Sequence, residues 1–218
     1  MKKNIDYLRI AVHLGALITL AVLVLRYFTN TLSVNPIQTL ERQTGKTALI
    51  FLILSLACTP LSAILDWKSL GKRRKTLGLY GFMFAAIHLL IFVGVDYRFQ
   101  IVYIFEAVKY TVYLWFGLAA FVMLLALAIT SIKKMKQLLK KNWKRLHRLV
   151  YIISPLVVIH FFLTLKGNIL RFQGNIKEPF IYGSIVLVLL ILRIPPVKRF
   201  FINLRVSLQN RFRRPNPV

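Results

Sequence analysis

Four histidines, His13, His88, His147 and His160, have the widest chemical reach in this chain. Each lies in or at the edge of a long apolar stretch, where an ionisable or ligating side chain is costly and marks a functional position by default. The six acids, Asp6, Glu41, Asp66, Asp96, Glu106 and Glu178, all fall at the expected ends of those stretches or between them. A carboxylate-based path for protons or cations through a membrane therefore has no candidate residue. The single cysteine, Cys58, excludes an intrachain disulfide and a cysteine-ligated iron–sulfur cluster, and reads as a small packing residue.

Depth separates the histidines, because an α-helix rises about 1.5 Å per residue. Counted from Thr76, the expected start of its span, His88 stands roughly 18 Å in. Counted from Leu146, His160 stands roughly 21 Å in. Two neutral imidazoles at one level on different helices can supply both axial ligands of a haem b iron, a ligation suited to electron transfer. A lone intramembrane histidine serves equally well as an interhelical hydrogen-bonding group. A depth-matched pair with no acid to partner either ring favours iron.

His147 sits in Trp143-Lys144-Arg145-Leu146-His147-Arg148, about 20 Å along the helix from His160. The matching depth on the His88 helix holds Arg74 and Lys75, which do not ligate iron. His147 is therefore expected to contact a haem propionate, a quinone or lipid headgroups, with ligation of a second haem as the alternative. His13 is expected to pack between helices. Arg73, Arg74, Arg145 and Arg148 either neutralise propionates and attract an anionic partner or only set the topology.

The elements that must carry these residues are transmembrane helices. The 218 residues are 57% hydrophobic and 17% charged, with mean hydropathy +0.64, more apolar than a soluble core of this length requires. Six stretches approach the roughly 20 apolar residues that cross a bilayer: Leu8 to Phe28, Thr47 to Leu65, Thr76 to Val95, Thr111 to Ile132, Leu146 to Leu165 and Pro179 to Ile194. The first resembles a signal peptide, but its apolar run is too long and is expected to remain as helix 1. Of the 31 Lys and Arg, 23 fall on one side of this arrangement, which the positive-inside rule makes cytoplasmic. The sequence thus predicts an all-α integral membrane protein, a six-helix bundle over residues 1–195 with both termini cytoplasmic, in a plasma membrane. Residues 196–218 form a basic tail whose Phe200, Phe201, Leu204 and Leu208 suit a segment lying on anionic lipid. The net charge of +25 belongs to topology rather than to a nucleic-acid partner. No glycine-rich fingerprint follows a strand, so a nicotinamide site is not expected, and no internal repeat stands out.

Four stretches, NPIQTLERQTG with LACTPL (Asn35 to Leu61), RRKTLGLYGFMFAAIHLL (Arg73 to Leu90), LAITS (Leu127 to Ser131) and WKRLHRLVYIISPLVVIHFF (Trp143 to Phe162), together resemble one family. It is the MsrQ (YedZ) family of haem-binding membrane subunits, within the ferric-reductase-like transmembrane group. The resemblance implies an electron-transfer subunit rather than a stand-alone enzyme. Electrons from the quinone pool, or from a cytosolic flavin reductase, would pass through haem b to a periplasmic molybdopterin-containing methionine sulfoxide reductase. It also implies FMN as a further cofactor, marks His88, His147 and His160 as functional, and favours a single haem. The competing expectations are a ferric-reductase-like subunit for another acceptor and a haem-free transporter or assembly factor.

Overall fold

A computed structural model describes residues 6–164 and 177–213. Leu165, the expected end of the fifth span, and the Lys and Arg of the charge count that fall in residues 1–5, 165–176 and 214–218 lie outside the described residues. Among the described residues every regular element is helical: α1 (Tyr7–Phe28), α2 (Pro36–Ile64), α3 (Lys68–Leu90), α4 (Ile101–Tyr110), α5 (Val112–Ile129), α6 (Lys133–Leu146), α7 (Val150–Thr164), α8 (Lys177–Ile191) and α9 (Pro195–Arg213). Five helical stretches among them are long and apolar enough to cross a membrane, and α8 with α9, bent by 83° at their junction, forms a sixth candidate. The chain is a multi-pass membrane protein.

Helix starts follow from local chemistry. The Asp6 carboxylate accepts from the Arg9 amide to open α1, and the Asn35 side chain does the same for Gln38 ahead of Pro36 in α2. Three features depart from the sequence expectation. The His88 helix continues through a π-helical turn, Ile91–Asp96, and is followed by the short α4. The lysine-rich segment expected as a loop between the fourth and fifth spans is helical as α6, broken at Lys140, where φ is 45°. Glu41 lies inside α2 rather than at its end, and its buried Oε1 has no hydrogen-bond partner among the described residues.

α2 is the central helix. Its buried residues run from Thr44 to Pro60 and serve two apolar clusters, one with α5, α7 and α8 and one with α1 and α3. The α2–α3 contact is close enough for a Cβ on Gly81 to stand 3.3 Å from the Leu52 amide nitrogen and 3.4 Å from the Ala48 carbonyl oxygen. Without hydrocarbon–water contrast to drive helix association, such small-residue approach is how membrane helices gain packing.

Pro60 creates a specific demand inside α2. It has no N–H, so the Leu56 carbonyl loses its helical partner. Arg193, just beyond α8, donates from Nη2 to that carbonyl at 2.5 Å and from Nη1 to the Tyr151 hydroxyl at 2.7 Å. One guanidinium thus joins α2, α7 and the end of α8. Acids make further clasps: Asp6 with Arg73, Asp66 with Arg205 of α9, and Glu178 with Lys46 and Arg42.

An orphan carbonyl in a buried helix costs about 1–3 kcal/mol, so Arg193→Met is expected to lower the midpoint of thermal unfolding in detergent by a corresponding amount. In a Pro60→Ala background, residue 60 can again donate to Leu56, and the penalty of Arg193→Met should shrink. An equal penalty in both backgrounds would separate the arginine from the proline. Topology is open to test because α5 is the single span between α4 and α6: compartment reporters fused at Gln100 and Gln137 are expected to report opposite sides.

Candidate functional site

His88 lies in the last turn of α3, and His160 lies in the last turns of α7. The structure brings their rings together. The two centroids are 6.3 Å apart and the ring planes cross at 78°. Both rings are partly exposed.

Each ring is fixed from behind. His88 Nδ1 is 2.9 Å from the carbonyl oxygen of Glu41, and His160 Nδ1 is 2.8 Å from that of Tyr113. A carbonyl oxygen only accepts, so Nδ1 carries the hydrogen in both rings. Nε2 is then the lone-pair nitrogen, and in neither ring does it have a hydrogen-bond partner among the described residues. A histidine whose Nδ1–H is held by a carbonyl, leaving Nε2 oriented and basic, is the arrangement that protein-bound metals require of their ligands.

The separation can be tested against an axial pair. An imidazole nitrogen lies about 1 Å from its ring centre and binds a metal at about 2 Å, so two imidazoles across one metal place their centres roughly 6–6.5 Å apart. The observed 6.3 Å falls in that interval. Among the described residues no three His, Cys, Asp or Glu side chains converge on one metal position. Two protein ligands alone therefore suit a metal that arrives with its own equatorial ligands, as in haem. The residues present fit that group.

The other two histidines are engaged elsewhere. His13 Nδ1 is 2.6 Å from the Tyr80 hydroxyl, with the rings edge to face, an interhelical contact between α1 and α3. His147 is separated from the pair along the chain by most of α7. Its Nε2 is 3.3 Å from Thr130 Oγ1, and its ring lies 4.2 Å from that of Trp143, whose Nε1–H donates to the Thr130 carbonyl at 2.9 Å. Arg74 and Lys75 are within electrostatic reach of it. The structure therefore unites His88 with His160 and leaves His147 in a separate cluster at the basic end of the bundle.

Sequence reasoning misses the second layer of the site, the carbonyls of Glu41 and Tyr113 and two glycines beside the rings. Main-chain acceptors leave no residue-type signal. The glycines do leave one, since Gly45 precedes His88 by the same interval that separates Gly117 from His160.

Residues 44–158 match the family described as ferric reductase like transmembrane component. Three curated relatives carry the name protein-methionine-sulfoxide reductase heme-binding subunit MsrQ. The one from Herminiimonas arsenicoxydans is 37% identical over 182 residues, 83% of this chain and 81% of the relative. That from Rhodospirillum rubrum is 35% identical over 192 residues, covering 88% and 89%. A third, from Xanthomonas euvesicatoria pv. vesicatoria, is 36% identical over 185 residues, covering 82% of each.

Proposed function

Because the chain belongs to the ferric-reductase-like transmembrane family, and within it to the MsrQ subunits, we propose that it holds haem b between His88 and His160 and passes electrons across the bacterial inner membrane. The observation that carries this reading is the juxtaposed pair itself, with ring centres 6.3 Å apart, both Nδ1–H groups bound to backbone carbonyls and both Nε2 atoms without a hydrogen-bond partner among the described residues.

When bound, haem b supplies a one-electron couple. The protein's own part is positional. α3 and α7 present the two nitrogens, and the carbonyls of Glu41 and Tyr113 hold each ring in one tautomer and one orientation. His88 and His160 would hold the haem between them, an arrangement that suits electron relay.

The relatives' name supports a place in a protein-methionine-sulfoxide reductase system. In this reading the acceptor is a periplasmic molybdopterin-containing methionine sulfoxide reductase. The quinone pool, or a cytosolic flavin reductase with FMN, is the donor in this reading. The positive-inside count favours a cytoplasmic position for α6, His147 and α9, where the donor would arrive. Membrane lipid contacts the apolar outer faces of the bundle, and Phe200, Leu204 and Leu208 of α9 remain substantially exposed.

The purified protein is expected to show a reducible b-type spectrum with sharp low-spin α and β bands. His88→Ala and His160→Ala should each lose the haem, whereas His13→Ala, which removes only the Tyr80 contact, should retain it. Equal retention in all three would refute the assignment.

His147→Ala is expected to keep most of the haem while slowing its reduction by the physiological donor, with reduction by dithionite still complete. Haem loss equal to that in His160→Ala would make His147 a ligand instead.

A further inference from the structure

The Glu41–His88 and Tyr113–His160 contacts both span 47 residues. The second therefore repeats the first at a fixed displacement along the chain, the interval from Glu41 to Tyr113 and from His88 to His160. Gly45 and Gly117 share that displacement, as do Arg73 with Arg145, Leu77 with Leu149 and Ile87 with Ile159. Leu54-Ser-Leu-Ala-Cys-Thr-Pro-Leu61 is echoed by Leu125-Ala-Leu-Ala-Ile-Thr-Ser-Ile132, with the register slipped by a single position. α2 packs with α3, and α5 packs with α7. The haem-site residues thus come from two helix pairs built on the same plan.

The plan has a steric core. In a helix, the carbonyl of residue i accepts from the amide of i+4 and keeps a second lone pair. The Cβ of residue i+4 tilts back toward the N-terminus and lies over the preceding turn, the space through which an outside donor reaches that carbonyl. Gly45 is residue i+4 to Glu41, and Gly117 is residue i+4 to Tyr113. A Cβ on residue 45 would stand 3.2 Å from His88 Nδ1 and 3.3 Å from its Cε1. One on residue 117 would stand 2.8 Å from the same two atoms of His160. In each pair the missing side chain leaves the space that the bonding edge of the imidazole fills.

We propose that Gly45 and Gly117 are positioning residues for the two axial histidines, each admitting an imidazole edge against its helix so that Nδ1–H reaches the carbonyl one turn back and Nε2 faces the metal. This rests on the haem reading above. The two glycines set the ring orientations without touching the haem iron, and they do so unequally, because the space at residue 117 is the tighter.

The test uses the full-length chain, expressed with ample haem and purified in detergent, with Gly117→Ala, Gly45→Ala and Gly15→Ala compared. A Cβ on residue 15 meets nothing within 4 Å, so that variant controls for the helix effect of the substitution. The readouts are haem per protein, the low-spin electron paramagnetic resonance g-values of the oxidised protein, which respond to axial-ring orientation, and the far-ultraviolet helical signal as a check on folding. Gly117→Ala is expected to weaken haem retention roughly 10–100-fold, as loss of an outer-shell support does. Gly45→Ala should retain haem with shifted g-values, and Gly15→Ala should match wild type. Wild-type haem content and g-values in both Gly117→Ala and Gly45→Ala would overturn the proposal, as would equal losses in all three variants. If Gly117→Ala does not fold, Gly45→Ala decides: shifted g-values support the proposal and unchanged ones overturn it. A folded wild-type protein that takes up no haem would instead refute the haem reading itself.

Discussion

An imidazole set among membrane helices has one N–H that must find an acceptor, and in this chain that requirement organises the site. Among the described residues no side-chain carboxylate accepts from either ring of the pair. His88 and His160 instead donate to main-chain carbonyls. Those carbonyls already belong to helical ladders and are reachable only where the overlying residue has no side chain. From one hydrogen-bonding demand follow the tautomer, the open Nε2, the two glycines and the close approach of α2 to α3 and of α5 to α7.

The same demand, seen from the main chain, explains how the rest of the bundle is joined. Hydrocarbon offers no replacement for a lost backbone partner. Pro60 removes one from Leu56, and Arg193 restores it from another helix while also holding Tyr151. A guanidinium at this position is costly on its own, but with two acceptors it ties three elements at the basic end. The opposite end is closed differently, by Glu178 with Lys46 and Arg42. These ties join α2, which packs with both histidine-bearing helices, to α7 at one end and to α8 at the other.

The histidine pair is legible in the sequence because helix rise is nearly constant, so counting from Thr76 to His88 and from Leu146 to His160 leads to one level. Less regular features are not. The π-turn after His88 changes the backbone bonding without a residue signature, and α4 is a short helix of mostly apolar residues that carries no span-length pattern. The lysines of α6 conceal it, since they mark a membrane boundary as readily as a loop. The polarity of Glu41 points to a helix end, although Asn35 and Pro36 begin α2 well before it. The likeness of the two helix pairs is faint in the sequence because few identities are kept between them and one stretch is displaced in register. It becomes visible only when the hydrogen bonds show which positions are equivalent.

That equivalence also bears on the basic end. The displacement that carries His88 onto His160 carries Lys75 onto His147. The repeat that builds a facing pair at one level therefore builds a histidine and a lysine at the other. A lysine ammonium at neutral pH has no lone pair to offer a metal, whereas a single imidazole between Thr130 and Trp143, near Arg74 and Lys75, suits a polar or anionic group arriving from the membrane surface. The two helix pairs are alike at the level of the histidine pair and different at the basic end. Two like helix pairs, one with a lysine where the other has a histidine, thereby give the bundle two chemically distinct ends.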